Sequence, residues 1–172
     1  NFRGAQFSGG DADFYNAQFS GGDAYFLSAK FRWWMDFGGA RFEKSVNFNN
    51  TIFPPAKGSQ SAFRKAQFLG PADFSRTRFT DNDGKPLPPS DLHFPFNAFA
   101  NANIKDQLIL TQRGDQEAEI EFNRALDSVA QACKDEGKGD KGDKIEAHYV
   151  ALEAGCTTLK RAMETESDKN RA

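Results

Sequence analysis

The chain has 172 residues, 22 Lys and Arg against 24 Asp and Glu, and a net charge of -2. That length suits one domain with an appendage, and the near-neutral balance excludes a general nucleic-acid binder and a strongly acidic DNA mimic. No run of about 18 apolar residues is present to cross a bilayer as a helix, no secretory leader pattern stands in this segment, and two Cys supply no disulfide framework, so a reducing, cytoplasmic setting is expected.

Phe dominates the aromatics, 18 against 3 Tyr and 2 Trp, and it is periodic. Through Phe2, Phe7, Phe14, Phe19, Phe26, Phe31, Phe37, Phe42, Phe48, Phe53, Phe63, Phe68, Phe74, Phe79, Phe94 and Phe99, every second step is five residues, and the steps between vary from 6 to 15. The chain therefore reads as pairs of five-residue units, joined alternately by a tight corner and a longer, tolerant one. Two residues before Phe the side chain is small (Ala5, Ala12, Ala24, Ala29, Ala66); one before, it is polar (Gln6, Asp13, Lys30, Arg41, Gln67). A three-residue extended stretch of this kind turns the small residue and the Phe inward and the polar residue outward. The two residues that follow, such as Tyr15-Asn16, Gly38-Gly39 and Asn49-Asn50, carry turn chemistry. So short a strand buries its apolar side and pairs its backbone only by lying over the equivalent unit one coil earlier. An α-helix fails, because a period of five scatters Phe around a 3.6-residue repeat.

Ala5-Gln6-Phe7, Ala12-Asp13-Phe14, Ala17-Gln18-Phe19, Ala66-Gln67-Phe68, Ala72-Asp73-Phe74 and, ending the series, Ala102-Asn103-Ile104 resemble the Phe-centred variant of the pentapeptide-repeat family. The resemblance covers residues 1–104 and implies a mainly β fold: a right-handed quadrilateral β-helix with four units per coil, here slightly more than four coils, roughly 20 Å of stack at about 4.8 Å each. Four-unit coils predict the columns Phe7–Phe31–Phe53–Phe79, Phe14–Phe37–Phe63, Phe19–Phe42–Phe68 and Phe26–Phe48–Phe74, an aromatic interior with no room for a ligand. Insertions near 54–61 and 80–93 fall at long corners and project from the coil, which is expected to resume at Phe94.

Residues 1–104 hold 11 basic and 9 acidic residues, net +2; residues 105–172 hold 11 and 15, net -4. In this second segment apolar residues recur at helical spacing over about 115–136 (Phe122, Leu126, Val129, Cys133) and about 144–166 (Ile145, Tyr149, Leu152, Cys156, Leu159, Met163), with the polar link 137–142 between them. A helical hairpin is expected, able to cap the last coil's open strand edges, with both thiols as core residues. The first residue lies inside a repeat, so the sequence reads as part of something longer.

No residues assemble into a catalytic or cofactor-binding set, and no metal site is expected. Gly9-Gly10-Asp11 and Gly21-Gly22-Asp23 recur because the coil recurs; the link 137–142 lacks a phosphate-loop Gly-Lys-Ser/Thr; Asp81-Asn82-Asp83-Gly84 lacks the distal Glu of a calcium loop, Leu92 standing there. His93 and His148 lie apart without ligand spacing. Trp33-Trp34, at a corner where earlier units carry Gly-Gly, form either a partner hot spot or a cover for a neighbouring corner or the Pro54-Pro55 insertion; Lys30, Arg32 and Arg41 nearby favour an acidic partner. The expected function is a non-enzymatic scaffold meeting a protein partner, or its own copy, through the hairpin or the Trp33/Trp34 corner. The family resemblance adds a topoisomerase-binding DNA mimic, which the net +2 of the repeats opposes, and a spacer within a longer membrane-associated or enzymatic protein is the third reading.

Overall fold

The computed structural model describes residues 1–54, 62–80, 98–100, 102–105, 108, 109, 120, 124, 127 and 154–161. Its architecture is a β-solenoid of two-residue parallel strands gathered on four faces. Face A stacks β1 (Gln6–Phe7), β5 (Lys30–Phe31), β9 (Ile52–Phe53) and β12 (Arg78–Phe79). Face B pairs β2 (Ala12–Asp13) with β6 (Met35–Asp36), and backbone bonds from Phe37 N to Ala62 O (2.7 Å) and Phe63 N to Ala98 O (2.8 Å) continue it downward. Face C stacks β3 (Gln18–Phe19), β7 (Arg41–Phe42), β10 (Gln67–Phe68) and β13 (Asn103–Ile104). Face D stacks β4 (Ala24–Tyr25), β8 (Val46–Asn47), β11 (Ala72–Asp73) and β14 (Leu108–Ile109). The chain visits the faces in the order A, B, C, D and then A again.

Registers are in phase with the Phe spacing: Phe7 pairs with Phe31, Phe19 with Phe42, and Phe79 with Phe53. Because strand neighbours alternate in direction, the small residue and the Phe point in while the middle residue points out, as in buried Ala24, exposed Tyr25 and buried Phe26. The rings stack along each column: Phe7 on Phe31 at 4.6 Å, Phe14 on Phe37 at 4.6 Å, Phe19 on Phe42 at 4.7 Å and Phe26 on Phe48 at 4.8 Å between centroids. Phe2 adds a ring above Phe26 at 4.9 Å, and Phe99 one below Phe63 at 5.3 Å. Columns B and D interlock edge to face through the centre, with Phe26–Phe37 at 5.2 Å and Phe63–Phe74 at 5.2 Å, the arrangement favoured by the ring quadrupole. Each fully buried Phe contributes about 1.5–3 kcal/mol through burial.

Two kinds of corner alternate. After faces B and D the turn is tight: Ala17 N bonds Phe14 O at 3.0 Å, and Ala29, Ala40, Ala66 and Ala102 repeat the bond to Phe26, Phe37, Phe63 and Phe99. The residue two after Phe takes positive φ at Gly4, Asn16, Ser28, Gly39, Asn50, Lys65 and Arg76. Side-chain oxygens at the position before Phe support these turns, with Asp13 accepting from Tyr15 N (2.8 Å), Asp36 from Gly38 N (2.6 Å), Asn47 from Asn49 N (2.9 Å) and Asp73 from Ser75 N (2.9 Å). These are Asx turns, available only to a short acceptor. After faces A and C the corner is longer, and no such acceptor is needed.

Two expectations shift. The rung below Phe63 is taken by Phe99, not Phe94: Phe99 follows face A directly and makes the tight turn to Ala102. Phe94, at which the coil is expected to resume, lies outside the described residues. The ladder also runs one strand past Ile104, to β14, which pairs in parallel with β11. Of the expected helices, residues 120, 124 and 127 are helical and 154–161 form one helix, α1; the link 137–142, Cys133 and most of 115–136 and 144–166 lie outside the described residues. Within α1, Cys156 and Leu159 are buried in the same apolar cluster as Phe99 and Leu108, while Lys160 Nζ meets Asp127 Oδ1 at 2.6 Å.

Candidate interaction edge

The four faces meet at four edges, of which A/B and C/D are the long ones. Edge A/B carries, rung by rung, Ser8-Gly9-Gly10-Asp11, then Arg32-Trp33-Trp34, then the chain joining Pro54 to Ala62, then the chain joining Thr80 to Ala98. The Trp pair and both insertions therefore belong to one edge. Edge C/D keeps short connections: Ser20 to Asp23, Glu43 to Ser45 and Leu69 to Pro71.

Trp33 is 48% exposed, a large value for so big an apolar side chain, yet it is held in place. Its indole Nε1–H donates to the carbonyl of Ser8 at 3.0 Å on the rung above, and the Arg32 guanidinium lies 5.9 Å from its ring centroid, within cation–π range. Trp34 is half-buried, and its carbonyl accepts from Ala12 N at 2.9 Å as part of the ladder. Of the pair, only Trp33 presents a broad face. It covers the corner of the rung above through that bond and remains half open. Pro54 is buried, and Pro55 lies outside the described residues.

The basic residues named with the Trp pair separate. Lys30 points outward from face A and Arg32 sits on the A/B edge, but Arg41 is on face C, where its Nε meets Glu43 Oε1 at 3.0 Å and its Nη1 donates to Gln67 Oε1 at 2.8 Å. Lys30 and Arg41, 11 residues apart in the chain, thus lie on opposite faces of the coil.

The opposite edge is closed by a polar cluster. Asp23 Oδ1 accepts from Ser45 N at 3.2 Å and its Oδ2 from the Tyr25 hydroxyl at 3.0 Å. Hydrogen bonds from Ser45 and then Tyr25 hold the Asp23 carboxyl below its ordinary value of 3.8, and the same bond to Asp23 raises the Tyr25 phenol. Asp13, Asp36 and Asp73 act as turn acceptors. The signal is present in the sequence at Asp13, Asp36, Asn47 and Asp73, each before a Phe whose next corner is tight, although Tyr25, Ala62 and Ala98 stand before tight corners without such an acceptor.

Among the described residues no three His, Cys, Asp or Glu gather to hold a metal, and no helix is long and apolar enough to cross a membrane. His93, His148 and Asp81 to Gly84 lie outside them. No family model matches the chain, and no curated protein or solved structure does.

Proposed function

We propose that the chain is a non-catalytic scaffold that meets a protein partner along edge A/B, built as a right-handed quadrilateral coil of the pentapeptide-repeat type. The observation that carries this reading is the gathering of every elaboration, Trp33 included, on one of two otherwise equivalent edges. In repeat architectures insertions that project from one side mark the binding side, and a pinned aromatic loses little conformational entropy on contact. The filled interior supports the non-catalytic part, since stacked rings leave the outer surface to carry function. In this reading the helices after the solenoid form a hairpin that caps its last rung, consistent with Cys156 and Leu159 in the core cluster and the Lys160–Asp127 contact.

Nucleic-acid mimicry, the reading the family resemblance adds, calls for a continuous negative column. Asp13 and Asp36 stack on face B but stop at Ala62, face D reads Tyr25, Asn47, Asp73, Ile109, and all three Asp are engaged in turns. Light scattering on the pure chain and affinity capture with the wild type and Trp33→Ala test the scaffold reading. A partner or a second copy lost in the variant is the expected result. A monomer that captures nothing, or capture indifferent to Trp33, defeats it.

A further inference from the structure

Resting on that reading, we propose that face A beside Trp33 is a docking strip for an acidic polypeptide segment. The reason begins with the turns. Tight corners follow faces B and D and recruit Asp or Asn as acceptors at the outward position, which confines the outward carboxylates to those faces. Face A precedes a long corner, so its outward column is free of that demand and reads Gln6, Lys30, Ile52, Arg78. The adjoining D/A corner adds Arg3, and the A/B edge adds Arg32 beside Trp33.

Neither face A nor the D/A corner carries a carboxylate among the described residues, whereas the cation of face C, Arg41, is engaged with Glu43 and Gln67. Lys30 and Arg78 stand two rungs apart, about 10 Å, the span of about three residues of extended chain. Half-buried Ile52 lies between them and Trp33 stands at the margin. A carboxylate, an apolar side chain and a second carboxylate at alternate positions of an extended segment share one face and match that order of charge, apolar contact and charge, within reach of the long Lys30 and Arg78 side chains. A phosphate backbone matches it less well, because the apolar Ile52 interrupts the row of cations.

The test titrates the full chain into a fluorescein-labelled Glu-rich peptide with a central Leu, and in parallel into the same peptide with Gln for Glu and into oligo-dT, reading anisotropy. The Glu peptide is expected to bind, to weaken as salt is raised, and to protect Lys30 from acetylation as read by mass spectrometry. The Lys30→Glu/Arg78→Glu double variant, with melting unchanged, is expected to lose about tenfold or more in affinity, and Arg41→Gln to lose nothing. Equal binding of the Gln peptide, tighter binding of oligo-dT, or a double variant as good as wild type overturns the proposal. The two readings fail separately: if Trp33→Ala abolishes partner capture while the double variant captures normally, the edge stands and the acidic strip falls.

Discussion

Edges A/B and C/D begin alike, as Gly9-Gly10-Asp11 and Gly21-Gly22-Asp23, and diverge by the next rung. On C/D the backbones of successive rungs come into contact: a Cβ added at Gly70 would lie 2.7 Å from the Lys44 carbonyl carbon and 3.0 Å from Ser45 N. At the first rung both edges are open, with nothing within 4 Å of a Cβ added at Gly9 or at Gly21, and on A/B the next rung fills with Trp33 and the rungs after it give off the insertions. The same repeat thus supplies one edge that closes the stack and one that is at liberty to grow. Growth at one edge costs the solenoid little, because each rung needs only its neighbours' strands and rings to remain in register.

The premise shared by both edges is the common aromatic interior, and breaking it has the largest expected effect. Phe48 stacks with Phe26 and Phe74 at 4.8 Å each and meets Phe37 and Phe63 edge to face at 5.4 and 5.3 Å. Phe48→Ala should cost about 3–5 kcal/mol, read as a lowered denaturant midpoint; the half-buried Phe7 at the first rung should cost less when truncated in the same way. An equal loss at both positions would contradict an interior whose burial deepens away from the first rung.

The next effect separates the edges directly. Gly70→Ala should destabilise by about 1–3 kcal/mol, because the atoms its Cβ meets are backbone and cannot swing aside. Gly9→Ala on the open edge should stay within about 0.5 kcal/mol. Similar losses at the two sites would remove the distinction between a closing edge and a growing one.

Acid sharpens the comparison from the C/D side. Asp23 is held below its ordinary 3.8 by Ser45 and Tyr25, so its bonds stabilise the folded chain above that value and are lost as pH falls through the lower folded value. Asp23→Asn should therefore melt below wild type at neutral pH, with the gap closing in acid below 3.8. A gap that persists there would assign the effect to packing. The smallest stability change belongs to the growing edge: Trp33→Ala should shift stability by no more than about 0.5 kcal/mol, since the Ser8 carbonyl it releases is on an exposed corner and turns to water. A large loss of stability would make Trp33 a structural cover instead of a contact surface.

Much of this was legible in the residues. Small-polar-Phe units five apart admit parallel strands stacked in phase and little else, and the alternation of tight and long corners follows from the steps between Phe residues. The Asx rule was legible too, in Asp13, Asp36, Asn47 and Asp73 against Gln6, Lys30, Arg41 and Gln67, once each unit was assigned to a face. The column that Phe99 joins was less legible, because a spacing of five does not by itself assign a unit to a face; its ring stacks on Phe63. β14 escaped notice because Leu108-Ile109 offers no Phe to continue the count.

The sequence by itself determined the local rule: which side chain turns inward, which corner is tight and where the stack can be lengthened, since each depends on strand alternation and turn chemistry within a few residues. Only the tertiary structure decided which distant residues share an edge. Trp33 and the Gly9-Gly10 corner share edge A/B with the points at which both insertions leave and rejoin the coil, and Arg41 parts from Lys30, because a four-sided coil returns to the same edge after every circuit and places near neighbours in the chain on different faces.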